Sequence, residues 1–165
     1  MQAFAQDVAG DDARSLKRIF EEAPETVTSH PEFQRLLMSL AELVSSFRPD
    51  ALALSVAMHQ VSIIADADTL GDNSPEGIHK DGADYIVSAL VVAREGITGG
   101  ESLVYGSDRE TRYLRIELKS GQGIFQADAN STLWHDVTPI KLSKSAPDEE
   151  GKRDIFGFDI DIVAP

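Results

Sequence analysis

The chain has 165 residues, of which 42% are hydrophobic and 26% charged, a composition typical of one globular domain. Fifteen lysines and arginines stand against 28 aspartates and glutamates, which gives a net charge of −13. This balance argues against nucleic acid and anionic membranes as partners, because both bind clustered positive charge. The absence of cysteine excludes a disulfide framework and a thiolate metal site. With no apolar run of bilayer length and no signal-peptide pattern, we expect a cytoplasmic protein.

The first fifty residues predict two helices. A helix from about residue 11 to 22 would be capped by Asp11-Asp12 and ended by Pro24. A second would begin at Ser29 or His30, with Pro31 at its first helical position, and end before Pro49. Its apolar residues recur at helical spacing: Phe33, Leu36, Leu37, Leu40, Leu43, Val44 and Phe47.

After Pro49 the hydrophobic period changes to that of strands, with turn-forming residues between them. The predicted strands fall in these runs: 52–64, 85–92, 102–105, 113–118, 123–126, 132–137 and 154–163. Two helices followed by seven or eight short strands favour an antiparallel jelly roll with flanking N-terminal helices. We therefore predict a mainly β, single-domain chain (1–165), with a helical flank over about 1–50 and a jelly-roll core over about 51–165.

One group of residues has the chemistry of a metal site. His79 and Asp81 are two residues apart, so both side chains lie on the same side of an extended segment. His135, in a strand-like run, would supply a second imidazole, and two histidines with one carboxylate form the facial triad of non-haem Fe(II) oxygenases. Arg153, at the start of the last strand, has the planar fork that binds a carboxylate. The residues alone leave two alternatives: a surface His-Asp pair with an unrelated histidine, and a strand-end surface arginine.

Several short motifs, in this order, resemble a known family. They are His59-Gln60-Val61, Pro75-Glu76-Gly77-Ile78-His79-Lys80-Asp81-Gly82, Gly99-Gly100-Glu101-Ser102, His135-Asp136-Val137-Thr138-Pro139 and Arg153-Asp154-Ile155. From about residue 52 onward the chain resembles the bacterial Fe(II)- and 2-oxoglutarate-dependent dioxygenases that hydroxylate free L-amino acids. The resemblance implies a double-stranded β-helix, a jelly-roll fold of cupin type.

The resemblance also implies roles for single residues. His79, Asp81 and His135 would be the catalytic iron ligands, and Arg153 would bind the distal carboxylate of 2-oxoglutarate. O2 would be the second co-substrate, ascorbate would stimulate turnover, and succinate and CO2 would leave with the hydroxylated product. Because related halogenases have a small residue at the carboxylate position, Asp81 argues for hydroxylation.

A free amino acid needs an anionic partner for its ammonium group and a cation for its carboxylate. For an amino acid, Asp84 or Glu76 would pair with the ammonium group, and Arg94 or Arg112 with the carboxylate. Familiar family members have a longer N-terminal region that helps to enclose the substrate, which leaves three alternatives here: a compact member, a partial chain, or a pocket completed by a second copy in a homodimer. Two other classes remain open: a cupin-like protein that binds a metal or a small acid, and a non-catalytic partner subunit with the same fold.

Overall fold

The computed structural model describes residues 2–4, 18–146 and 148–163, with side chains described from residue 21 onward. The chain divides into two compact units, residues 1–54 with 163–165 and residues 55–162. The first unit contains β1 (Gln2–Phe4) paired antiparallel with β2 (Arg18–Phe20), and the helices α1 (Glu25–Thr28) and α2 (Pro31–Phe47).

Helix α2 confirms the second predicted helix. His30 is its N-cap, where Nδ1 accepts a hydrogen bond from the backbone N–H of Glu32 at 3.3 Å, and Pro31 follows at the first helical position. The helix ends at Phe47, and its buried residues, Leu40 and Val44, belong to the predicted apolar stripe. Across the part of the chain that the structure describes, no helix has the length and apolar character to cross a bilayer.

The first predicted helix is wrong over the residues of its range that the structure describes, 18–22. Most of the range 11–22 lies outside the described residues, but Arg18–Phe20 form β2, in register with Gln2–Phe4. Residues 21–24 are not helical either. Pairing with a strand at the start of the chain outweighs the local helical pattern here, a tertiary effect that short-range periodicity does not contain.

The second unit is built from strands, arranged as β3-β11-β4-β8 in one sheet and β7-β6-β9 in another, with β5 and β10 as a separate pair. Their bounds are β3 (Ala53–Asp66), β4 (Tyr85–Glu95), β5 (Ile97–Gly99), β6 (Glu101–Tyr105), β7 (Arg112–Glu117), β8 (Gly123–Ala127), β9 (Trp134–Val137), β10 (Ile140–Leu142) and β11 (Glu150–Val163). Seven of these nine strands match the predicted runs. The sequence reading missed β5 and β10, which have three residues each and are defined by pairing with one another.

Two corners connect the short pair to the three-stranded sheet. Gly100 separates β5 from β6, and Thr138-Pro139 separate β9 from β10. The corners are bonded together, because the N–H of Gly100 donates to the carbonyl of Pro139 at 3.3 Å and the N–H of Glu101 donates to the Thr138 hydroxyl at 2.9 Å. The start of β6 and the end of β9 are therefore held in register with one another.

The hydrophobic core of this unit draws on the four-stranded sheet, on β10 of the short pair and on Leu118, which follows β7. Its buried residues are Ile63, Ala65, Ala89, Val91, Leu118, Ile140 and Ile155. Gly71 contacts this core through an antiparallel bridge to Ile140, with N–O distances of 3.1 and 2.8 Å. A Cβ at Gly71 would lie 2.5 Å from the carbonyl oxygen of Ile64 and 2.7 Å from side-chain atoms of Ile63 and Ile140. The absence of a side chain at Gly71 lets the backbone approach the core.

We expect Gly71→Ala to lower the free energy of unfolding by about 1–3 kcal/mol, because the added methyl overpacks a site bounded by backbone. Gly157→Ala is the matched control, since a Cβ there meets only the Val87 carbonyl oxygen at 3.8 Å; we expect a change within about 0.5 kcal/mol. Urea unfolding curves of the three proteins measure both effects. Equal stability of the two variants would contradict this account of Gly71.

Candidate functional site

The structure brings His79 and His135 together through their backbones. The two residues form an isolated antiparallel bridge, with the N–H of His79 donating to the His135 carbonyl at 2.9 Å and the reciprocal bond at 3.1 Å. The ring centroids are 4.3 Å apart. Because directly opposed residues of antiparallel strands project to the same side, the bridge places both imidazoles on one face.

Asp81 completes a group of three metal-ligating side chains. One ligand atom from each of His79, Asp81 and His135 lies within 4.8 Å of the others. Asp81 Oδ1 is 3.5 Å from Nε2 of His79, and Oδ2 is 3.5 Å from Nε2 of His135. Two imidazole nitrogens and one carboxylate directed at one point fit a divalent cation and leave its remaining positions open to other ligands.

Lys80 lies between His79 and Asp81 in sequence, and its side chain holds this segment in place through hydrogen bonds to residues 128–131. Its ammonium group donates to the carbonyl oxygens of Asp128, Ala129 and Ser131 at 2.9, 3.3 and 2.6 Å. The N–H of Gly82 also donates to Asp128 Oδ2 at 2.7 Å. The alternation of an extended segment therefore separates the ligands His79 and Asp81 from the anchoring lysine.

A hydrogen bond orients the imidazole of His79, and two buried carboxylates lie near the rings. Nδ1 of His79 donates to the carbonyl oxygen of Gly77 at 2.7 Å, which leaves the lone pair of the neutral ring on Nε2, the atom nearest Asp81. Asp128, which is fully buried, places Oδ1 at 4.0 Å from Nδ1 of His135. Glu76, also buried, has Oε1 at 3.5 Å from Nε2 of His79.

Burial and charge set the protonation of the three groups. Burial lowers the pKa of His135 to about 4; the charge of Asp81 opposes this shift, His79 adds to it, and Asp159 opposes it. Burial also lowers the pKa of His79, but the Asp81 and Gly77 hydrogen bonds and the charges of Asp81 and Glu76 outweigh it and leave the pKa raised. Burial raises the pKa of Asp81, yet its contacts with the histidines give a net lowering. At neutral pH the site holds a carboxylate and a neutral His135, the forms that bind a cation.

Arg153 lies in the interior and not at the surface. Its side chain is 1% exposed, and none of its three nitrogens has a hydrogen-bond partner among the described residues. Burial, and then the charge of neighbouring Arg94, lower its pKa to about 10. The buried hydroxyl of Ser102 likewise lacks a partner within the described part of the chain. A buried guanidinium without a partner is unfavourable, so these donors fit an anion such as a ligand carboxylate.

The residues considered for an amino-acid substrate have different positions. Asp84 accepts a hydrogen bond from the backbone N–H of Ile162 at 2.9 Å, which gives it a structural contact with β11. Arg112 is exposed on β7. Arg94 lies beside Arg153, as its register partner on β4, and Glu76 is the carboxylate beside His79.

A His59–Asp159 pair was not singled out from the sequence. Nε2 of His59 and Oδ2 of Asp159 are 3.1 Å apart, and both side chains are about one-third exposed, at 29% and 32%. Asp159 is the register partner of Ile86, itself the partner of Gln126, so the three project to one side of the sheet. An aspartate alternating with Phe158 and Ile160, both buried, is the signal that could have identified it.

Comparisons with known proteins identify the family and the fold. The family model for 2OG-Fe dioxygenases matches residues 1–159. A 3(1)-hydroxy-L-isoleucine 4-dioxygenase from Pantoea ananatis (strain AJ13355) is 29% identical over 133 residues, which cover 78% of this chain and 52% of the relative. The chain thus spans about half the length of that protein.

Two solved structures share the fold. IDO from Bacillus thuringiensis has a TM-score of 0.71 at 22% identity, over 88% of this chain and 67% of its own. A bsmA homolog from Methylobium petroleophilum PM1 has a TM-score of 0.73 at 24% identity, over 91% of this chain and 59% of its own. These likenesses confirm the predicted jelly roll. Because the family model matches nearly the whole sequence, as the motifs had predicted, the chain belongs to the 2OG-Fe dioxygenase family.

Proposed function

We propose that this protein is a non-haem iron dioxygenase that uses 2-oxoglutarate to hydroxylate an unactivated C–H bond of a small substrate, with a free L-amino acid as the favoured class. The observation that carries the proposal is the convergence of His79, Asp81 and His135, whose ligand atoms lie within 4.8 Å of one another. Family membership implies Fe(II), 2-oxoglutarate and O2.

The residues fit both groups that the family requires. His79, Asp81 and His135 would hold the iron, and the unpartnered donors of Arg153 would bind the distal carboxylate of 2-oxoglutarate. Together iron, 2-oxoglutarate and O2 supply the oxidising chemistry: one oxygen atom enters the C–H bond as a hydroxyl, and the other enters succinate as CO2 is released. The chain itself holds the cation, keeps His135 neutral, and excludes water around the arginine.

The His59–Asp159 pair supports an amino-acid substrate. The negative charge of Asp159 acts on the pKa of His135, and His59 acts on that of Asp81, so the pair lies within electrostatic range of the metal ligands. A partly exposed carboxylate there would bind the ammonium group of a substrate. This role was first considered for Asp84 and Glu76, and the contacts of the structure favour Asp159.

A cupin-like binder of a metal or small acid is the competing function. It would need the histidines, but it has no need of a buried arginine without a partner. The charge of −13 supports a small-molecule substrate over nucleic acid or an anionic membrane. We also retain a homodimer that completes the pocket, and the cytoplasm, as expectations.

The activity is tested with purified protein, Fe(II), ascorbate, 2-oxoglutarate and a pool of the proteinogenic L-amino acids. We expect succinate to rise with one amino acid, and mass spectrometry to show that amino acid with one added oxygen. Arg153→Ala should abolish this turnover and leave metal binding unchanged. An iron-loaded wild-type protein that forms no succinate would favour the cupin-like binder.

Replacing a ligand tests the metal site itself. Loss of an outer partner of a metal ligand costs about 10- to 100-fold in affinity, and we expect His135→Ala to cost more, because it removes a ligand. Titration with Fe(II) without oxygen, or with Mn(II), measures the change. His30→Ala, which alters only the cap of α2, should bind the metal as the wild type does. Unchanged affinity of His135→Ala would refute the triad.

Asp159→Asn tests the substrate interaction while it keeps the shape of the side chain. A hydrogen bond to a charged group is worth about 1.5–3 kcal/mol, so we expect the KM for the amino acid to rise ~10- to 100-fold. The KM for 2-oxoglutarate should not change. Asp161→Asn, two residues along the same strand and exposed, is the control. If both variants keep the wild-type KM, the ammonium group is bound elsewhere.

A further inference from the structure

We propose that Arg94 is a second arginine of the anion site and binds the distal carboxylate of 2-oxoglutarate together with Arg153. The inference rests on the proposed function and deepens it. It assigns Arg94 to the co-substrate, and not to the carboxylate of an amino-acid substrate, the role considered from the sequence.

The two arginines are direct neighbours across two strands. Arg153 on β11 and Arg94 on β4 are register partners in an antiparallel pair, so their side chains leave the sheet on the same side. Gly100, at the corner before β6, lies against both. A Cβ on Gly100 would be 3.1 Å from Cδ of Arg153 and 3.2 Å from Nη1 of Arg94. The missing side chain at this corner gives both arginines room.

The hydrogen bonds of Arg94 occupy only one side of its guanidinium group. Nη2 donates to the carbonyl oxygen of Gly99 at 2.7 Å and lies 2.9 Å from Oε2 of Glu117. Nη1 is buried and has no hydrogen-bond partner among the described residues. Arg94 is therefore anchored through Nη2, and Nη1 remains available beside Gly100, which also lies against Arg153.

The charges of this region are unbalanced without an anion. Two arginines occupy paired positions on β11 and β4, and the carboxylate paired with Arg94, Glu117, is half exposed and so screened by water. All three nitrogens of Arg153 and one of Arg94 lack partners in the described chain. A single carboxylate has two oxygens and about four acceptor positions, enough to accept hydrogen bonds from both arginines. The buried Ser102 hydroxyl, two residues after Gly100, offers a further donor.

A purely structural role for Arg94 is the alternative. In that role it would only hold the Gly99 carbonyl and Glu117 in place. Its loss would then weaken the binding of charged and uncharged ligands equally. A role in carboxylate binding predicts instead that the loss depends on whether the ligand has a distal carboxylate. The comparison of 2-oxoglutarate with 2-oxopentanoate, which has a methyl group in place of that carboxylate, separates the two roles.

The experiment measures the dissociation constants of both ligands by calorimetry, without oxygen, on the Fe(II)-loaded protein. We expect Arg94→Gln to weaken 2-oxoglutarate about 10- to 100-fold and 2-oxopentanoate less than about 3-fold. Arg153→Gln should show the same selectivity with a larger loss. Arg115→Gln, an arginine exposed on β7 and paired with Glu101, is the control and should bind both ligands as the wild type does. Iron affinity should be equal in all four proteins.

Thermal unfolding with and without 2-oxoglutarate gives a second readout. Arg94→Gln removes a cation beside Arg153 and also the hydrogen bond to the Gly99 carbonyl, so the readout is the rise in Tm on adding 2-oxoglutarate, which should be smaller than in the wild type. If Arg94→Gln fails to fold, Arg94→Lys replaces it. It keeps the charge but loses the fork, and we expect about a 3- to 10-fold loss for 2-oxoglutarate alone.

The outcomes separate this inference from the function on which it rests. Wild-type affinity of Arg94→Gln, or of Arg94→Lys where it is needed, with loss of binding in Arg153→Gln, would overturn the role of Arg94 and leave the proposed function standing. Equal losses for both ligands would make Arg94 a structural tether. No binding of 2-oxoglutarate to the iron-loaded wild type would overturn both proposals.

Discussion

The metal site depends on the pair of backbone hydrogen bonds between His79 and His135. These residues are 56 positions apart in sequence, and His79 lies outside any long strand, in the loop that leads from β3 to β4. Without the bridge, nothing in the local sequence would hold one imidazole 4.3 Å from the other. Once it forms, Asp81 follows at the same side of the segment, and the Lys80 contacts keep that segment against residues 128–131.

Differences in burial and in charged neighbours set the protonation states of the groups in the site. His135 is buried enough that its ring stays neutral, while Asp81 stays ionised because its histidine contacts outweigh the cost of burial. Arg153 shows the opposite case, a cation kept in the interior without a carboxylate in contact among the described residues. Such an arrangement costs folding stability, and it is found where a ligand supplies the missing charge. The proposed metal ligands fit a cation, and the buried arginine fits a carboxylate of the co-substrate.

Much of this could be predicted from the sequence, and the reasons differ from one element to the next. Helix α2 carries its own signals in Pro31 and the apolar stripe, and the long strands have a clear period of two. The group of candidate metal ligands could be predicted because His-x-Asp places two side chains on one side of an extended segment. The strand at Arg18–Phe20 was missed because it exists only through its partner, and so were β5 and β10.

Burial and register account for what the sequence could not show of the site. Arg153 reads equally well as a surface residue until its 1% exposure is known. Asp84 and Asp159 look alike in sequence, but one bonds the backbone of Ile162 and the other pairs with His59 on the side of the sheet shared with Gln126. Arg94 is 59 positions from Arg153 in sequence, and only the strand register shows that the two residues are neighbours.

The net charge of −13 makes binding of an anionic co-substrate depend on local contacts with arginine. A dianionic co-substrate is repelled by an acidic protein at long range, and at physiological salt that repulsion is screened beyond about 8 Å. Affinity must then come from contacts made after water has been excluded, where a charge-assisted hydrogen bond is strongest. Cations on the surface would be neutralised by the many carboxylates around them, as Arg115 is by Glu101. An acidic chain that binds an anion therefore has a physical reason to place an arginine in the interior, as Arg153 is placed on β11.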